Sequence, residues 1–232
     1  MKPIEIDHIW KINELAVYYT NATNGGGNAF AEDYCNAIDG LYPGRTFENA
    51  LEWCSGLGFI GYAMLATGLC NRITLNDLHQ PAMDLAEITR LKNPLFADKV
   101  SIYSGSTLAI IPESEKFDLV VANPPHYLSK FYAARALGFE KVGAIIDHRM
   151  EEILVDENWQ AHTDFYNNIK TRLAPNGVIL IQENESGSHH RGRSFNMIIE
   201  NAGLKITGEF NSLAHYDSKS PMQLYYLEVQ HQ

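Results

Sequence analysis

The chain has 232 residues, with 18 Lys and Arg against 28 Asp and Glu, for a net charge of −10. That balance argues against a broad nucleic-acid footprint, which needs clustered basic charge, while a 45% hydrophobic, 11% aromatic composition excludes a disordered chain. Cys35, Cys54 and Cys70 form no CxxC pair, so a zinc site is not expected. With no bilayer-length apolar run and no signal-like N-terminus, the expectation is a cytoplasmic protein without a membrane partner.

In chain order, residues 1–46 read as a helical extension covering the main domain. Asp7 is placed to cap a helix carrying Ile9, Ile12, Leu15, Ala16 and Tyr19 on one stripe. A polar loop containing Gly25, Gly26 and Gly27 leads to a second helix, Phe30 to Ile38, and Tyr42 to Arg45 is a turn. Residues 47–232 form the second unit. Strands are predicted at 50–53, 72–76, 100–103 and 117–122, with helices from Phe59 to Thr67 and from Pro81 to Leu91. The interval 127–158, which includes Asp147 to Met150, is long enough to suggest a substrate lid. A helix from Trp159 to Leu173, a turn at Pro175 to Gly177, a strand at 178–182 and a helix from Phe195 to Asn201 follow. The last two strands, 204–210 and 224–229, have too short a connection to be parallel. The fold class is therefore α/β, a doubly wound and mostly parallel sheet of seven strands ending in an antiparallel pair.

Chemistry concentrates at the predicted strand ends. Gly56, Gly58 and Gly61 make a GxGxxG run between strand and helix, where backbone approaches a ligand closely and helix N–H groups face it. Ser55 belongs to the same loop. Asp77 ends the next strand, where a carboxylate accepts hydrogen bonds from ribose hydroxyls. These residues suit a nicotinamide-dependent oxidoreductase as well as a methyltransferase. Asn123-Pro124-Pro125-His126, directly after an apolar strand, decides between them.

On Asn123 to His126 the chain resembles the class I S-adenosylmethionine-dependent methyltransferases that modify nitrogen, whose signature is Asn/Asp-Pro-Pro-aromatic. It is similar to the small-domain group that includes release-factor glutamine and ribosomal-RNA enzymes. The resemblance spans roughly residues 47–230 and implies S-adenosylmethionine as cofactor. It implies cofactor contacts at Glu52, Ser55, Gly56, Gly58, Asp77, Leu78, Ser104, Ser106 and Asn123, with Glu52 near the cationic amino-acid end. His126 stands where relatives carry Tyr or Phe, and Cys54 where they carry the first loop glycine.

The implied chemistry is methyl transfer to a planar nitrogen. The Asn123 side-chain oxygen and the Pro124 carbonyl each accept one N–H, aiming the lone pair and stabilising the positive charge that grows on nitrogen. His126 stacks on the acceptor and adds a hydrogen-bonding edge. Tyr127, Glu183, His190, His215 and Tyr216 are candidates to line the substrate cleft, since parallel topology brings those strand ends to one edge. A protein side chain or small molecule is the expected acceptor, with an RNA base as the alternative. An oxidoreductase or a non-catalytic cofactor-binding protein is the remaining reading.

Overall fold

The computed structural model describes residues 5–24, 27–136, 153–184, 193–216 and 223–232. A mixed sheet of seven strands runs through the molecule. Its strands are β3 (Ala50–Trp53), β4 (Ile73–Asp77), β5 (Val100–Ser104), β6 (Phe117–Ala122), β7 (Leu173–Asn184), β8 (Leu204–Tyr216) and β9 (Gln223–His231), in the order β5-β4-β3-β6-β7-β9-β8. The first five pair in parallel, and β9 lies antiparallel between β7 and β8. Both faces are covered, so β6 is apolar beyond Asp118, as its sequence requires. Alternate side chains feed two cores. Leu119 and Val121 join Tyr34, Tyr62 and Met64 on one side, while Val120 and Ala122 join Trp53, Phe165 and Phe195 on the other.

The helices are α1 (Asn28–Leu41), α2 (Phe59–Ala66), α3 (Gln80–Lys92), α4 (Lys130–Ala136), α5 (Gln160–Ile169) and α6 (Arg193–Asn201). Pro81 sits in the first turn of α3, where its missing N–H costs nothing.

Two expectations need correction. The first predicted helix is instead a β-hairpin, β1 (His8–Ile12) with β2 (Leu15–Tyr19). Ile9, on the supposed apolar stripe, is 53% exposed, whereas Val17, off it, is fully buried, so the operative period is two. Asn13 takes the left-handed turn position, with φ of 50°. The hairpin docks on α3 through Asn93, whose side chain exchanges two hydrogen bonds with the Ala16 backbone, at 2.9 and 2.8 Å. The second correction is that Leu173 and the Pro175 to Gly177 segment are not helix end and turn. They are the bulged start of β7, in which Leu173 pairs with Phe117 before the register shifts.

Helix α1 is tied to the sheet by two buried polar side chains. Asp33 accepts hydrogen bonds from Tyr226, Ser212 and Gln182 at 2.5, 2.6 and 3.1 Å. The Tyr34 hydroxyl accepts from the Gln182 backbone N–H at 2.8 Å and donates to the Ala122 carbonyl. It thus bridges β6 and β7 immediately before Asn123.

Candidate functional site

The strand order reverses between β3 and β6, and a doubly wound sheet opens a crevice at the C-terminal edge of such a point. A cavity of about 370 Å³ lies there, a volume suited to a small organic ligand. The β3–α2 loop forms one side and the β6 corner, Asn123 to His126, the other. Thr23, Gly27, Ala29 and Phe30 contribute a wall from the N-terminal segment, and Ile153 and Leu154 another. Trp10 and Tyr19 meet Phe59 edge-on, which seats the hairpin against this region.

The loop glycines divide their work. Gly56, with φ of 52°, lines the cavity and has open space where a Cβ would stand. Gly58 has φ of 79° but faces the core, 2.5 Å from Leu75 for an added Cβ, and does not line the cavity. Cys54 has φ of 54°, a left-handed backbone that glycine adopts without penalty, which is the physical reason a glycine suits its position. A Cβ on Gly61 would stand 2.7 Å from Ile73 and 2.8 Å from Glu52 Oε2. Gly61→Ala is therefore expected to lower unfolding free energy by about 1–3 kcal/mol through overpacking, as read by urea denaturation.

Glu52 is 2% exposed and accepts the Gly61 backbone N–H at 2.7 Å, holding the start of α2 against β3. Burial pushes its carboxyl up to about 8. Asp77 accepts N–H bonds from Gly56 at 2.7 Å and His79 at 2.8 Å, fixing the glycine loop. A carboxylate has about four lone-pair sites, so Asp77 retains capacity for further donors. Beside it Leu78 is 62% exposed and offers an apolar surface within the cavity wall. The hydroxyl of Ser55 and the Oδ1 of Asn123 are buried without hydrogen-bond partners. Such orphan atoms cost about 1–3 kcal/mol each and mark places where a ligand completes the bonding.

The cavity thus gathers Glu52, Ser55, Gly56, Asp77, Leu78, Ser106, Asn123, Pro124 and His126 from the sequence candidates. Four others lie elsewhere, Gly58 among them, since it faces the core. Ser104, the last residue of β5, is exposed and off the cavity, where Gly105 and Ser106 stand instead. Tyr127 is fully buried behind the corner, its hydroxyl accepting from Asn184 at 3.0 Å, so it supports the corner from inside. Glu183 is likewise fully buried and does not line the cavity. His190 and Asp147 to Met150 fall outside the described residues, and the side chains of His215 and Tyr216 are not described. Among the described residues no cluster of three or more His, Cys, Asp and Glu could hold a metal ion, and no helix is long and apolar enough to cross a membrane.

Sequence reading missed what surrounds Glu183. His162 on α5 is fully buried, with Nδ1 2.6 Å from Asp156 Oδ2 and Nε2 2.9 Å from Glu183 Oε1. Its ring stacks on Phe195 at 4.8 Å and meets Trp53 and Trp159 edge-on. Burial opposes charge on this imidazole, yet Glu183 and Asp156 raise it to about 9. Burial also works against charge on both carboxyls, but His162 holds each below the usual range. Asp156 further accepts the backbone N–H groups of Ala161 and His162, at 2.8 and 3.0 Å, at the start of α5. The separations from His162 to Asp156 and to Glu183, 6 and 21 residues, follow no periodic pattern that a sequence exposes.

Residues 39–137 match the family model described as methyltransferase small domain. A release factor glutamine methyltransferase from Leptospira interrogans serogroup Icterohaemorrhagiae serovar Lai (strain 56601) is 28% identical over 79 residues, which is 34% of this chain and 28% of that enzyme. Among solved structures, the glycopeptide N-methyltransferase MtfA superposes with a TM-score of 0.60 at 12% identity, covering 89% of this chain and 90% of that one. The mitomycin 7-O-methyltransferase MmcR gives 0.58 at 16% identity, covering 89% of this chain and 55% of that one. At 12% and 16% identity these superpositions establish a shared fold.

Proposed function

We propose that the chain, a class I S-adenosylmethionine-dependent methyltransferase by family resemblance and fold, transfers a methyl group to a planar nitrogen of a protein side chain or small molecule. The observation that carries this reading is the buried, unpartnered Oδ1 of Asn123 on the diproline corner, within the cavity wall. An acceptor so placed suits an N–H of an amide, guanidine or heterocyclic amine. The release-factor relative, whose name specifies glutamine, supports an amide among these.

The donor set fits S-adenosylmethionine. Asp77 would take the ribose hydroxyls, Leu78 and Ser106 the adenine side, and Glu52 with Ser55 the amino-acid end. When bound, the cofactor supplies a methyl group activated by a sulfonium. The protein's part is to hold the acceptor nitrogen on Asn123 and Pro124, and to wall the cleft with Thr23, Gly27, Ala29, Phe30, Ile153 and Leu154 against water. Positioning and fixed acceptors where positive charge grows supply the rate.

Asp77→Ala is expected to weaken S-adenosylmethionine binding by about 1.5–3 kcal/mol, the scale of hydrogen bonds to a charged group. Calorimetry reads this directly, and unchanged affinity would remove Asp77 from the cofactor site. The wider test has two parts. Calorimetry should show that the methyl donor binds and NAD does not. Extract incubated with tritiated donor and the protein is then divided by protease, nuclease and a small-molecule cutoff. Label that is protease-sensitive or of low mass supports the reading. Nuclease-sensitive label shifts the acceptor to RNA, and absence of label overturns catalysis.

A further inference from the structure

Behind the corner, two buried polar atoms face one another with no hydrogen-bond partner: Nδ1 of His126 and Oε2 of Glu183, 3.9 Å apart. His126 lines the cavity and is 4% exposed. Its Nδ1 is turned inward to the carboxylate, so the ring nitrogen left for the cavity is Nε2. The other oxygen of Glu183 is held by His162, and His162 by Asp156. The four side chains form one buried line from the α5 start to the cavity wall.

Charge sets what this line does. His162 lies between two carboxylates at hydrogen-bonding distance, so both its nitrogens donate and it is an imidazolium. Two carboxylates and one imidazolium leave the line one negative charge in excess while His126 is neutral. At 3.9 Å the Glu183 carboxylate makes no hydrogen bond to Nδ1, but its charge favours the proton on that nitrogen, which leaves the lone pair on Nε2. The nearby hydroxyl of Tyr166 and thiol of Cys54 are kept protonated by burial, so neither competes as a base.

We propose that His126 is the proton acceptor of the reaction, its tautomer fixed by Glu183 and the excess negative charge of the Asp156–His162–Glu183 line held ready for the imidazolium that forms. This rests on the methyltransferase reading and extends it. The acceptor nitrogen's lone pair makes the new N–C bond, the C–S electron pair returns to sulfur, and the proton shed by nitrogen moves to Nε2 of His126. The line then becomes neutral overall. His126 is the catalytic residue; Glu183, His162 and Asp156 act through it as positioning residues. A Tyr or Phe at this position stacks but accepts no proton at neutral pH. The departure from the usual aromatic therefore adds a function.

The first test needs no acceptor. Nitrogen-15 NMR of histidine-labelled protein at pH 7.5, with S-adenosylmethionine bound, should show a neutral His126 ring carrying its proton on Nδ1. Glu183→Gln should move that proton toward Nε2. A wild-type ring protonated on Nε2, or on both nitrogens, overturns the proposal. The second test measures transfer from tritiated S-adenosylmethionine to the labelled extract fraction. His126→Phe, which keeps an aromatic ring, should lose about 10²–10⁴-fold in kcat with donor affinity unchanged, and added imidazole should restore part of the loss in His126→Ala. A His126→Phe rate within threefold of wild type overturns the base while leaving the methyltransferase reading intact. Failure of the wild type to bind the donor overturns both.

Discussion

Asn123→Ala is expected to lose about 10²–10³-fold in turnover, the cost of removing one hydrogen bond aimed at charge that develops in the transition state. Donor affinity should stay near wild type, because the lost acceptor faces the nitrogen that is methylated. The same substitution should leave the protein as stable as before, or more so. The Oδ1 of Asn123 is buried with no partner, and deleting an orphaned acceptor removes a desolvation penalty of about 1–3 kcal/mol. Activity and stability are thus expected to move in opposite directions, as they do where a site holds groups in wait for a ligand. Tritium transfer and thermal unfolding on the same preparation check both halves. A near-normal rate would end the nitrogen clamp. A large loss of stability would show that Asn123 supports the fold instead.

The parts of this molecule legible in its sequence are those whose physics is local. The five parallel strands were legible as short apolar runs bounded by turn or polar residues, most fully for β3 and β6, which are buried on both faces. Edge strand β5 is half-buried, and the first residues of β7 read as helix and turn. The antiparallel end of the sheet followed from the length of one connection. The hairpin was not legible. Its apolar residues at 9, 12, 15, 16 and 19 satisfy a helical period, and the hydrogen bonds that seat the strand form, to Thr89 on α3 and to Asn93 just past its end, come from 71 and 77 positions away. The cavity-lining candidates were found where backbone rules apply, at Gly56, Asp77 and Asn123. What escaped was the support behind them: Tyr34 bridging β6 to β7, and Asp156 and His162 behind Glu183. Those pairings join residues 148 and 21 positions apart, a relation that burial and hydrogen bonding decide only after the sheet has formed. Glu183 shows the difference well. Its strand-end position is evident from sequence, but whether it faces the cleft or the next layer depends on His162.

His162→Phe should be the most destabilising of these substitutions, at about 3–5 kcal/mol. Phenylalanine keeps an aromatic ring for the stack on Phe195 but is larger than imidazole, so the loss combines crowding with uncompensated charge. It leaves Asp156 and Glu183 buried without the cation between them, and breaking a buried pair on one side is far costlier than never having built it. The pH dependence carries the same signature. His162 titrates near 9 in the folded protein against 6.5 unfolded, so between those values the native state binds one more proton than the unfolded chain. Stability therefore falls as pH rises through that window, by about 1.4 kcal/mol per pH unit and on the order of 3 kcal/mol in total. Below pH 6.5 the contribution is complete. The lowered carboxyls of Asp156 and Glu183 act with the opposite sign, adding stability above the ordinary carboxylate range that is lost as acid protonates them. Glu52, raised to about 8 by burial, binds an extra proton in the native state from the ordinary carboxylate range up to that pH, so its contribution falls over the same interval and the His162 slope adds to it above pH 6.5. Urea denaturation from pH 4 to 10 tests this on wild type and variant together. Between pH 6.5 and 9 the variant's slope should be shallower than wild type's by about 1.4 kcal/mol per pH unit, the part that remains below pH 8 belonging to Glu52, and equal slopes would show that His162 carries none of it.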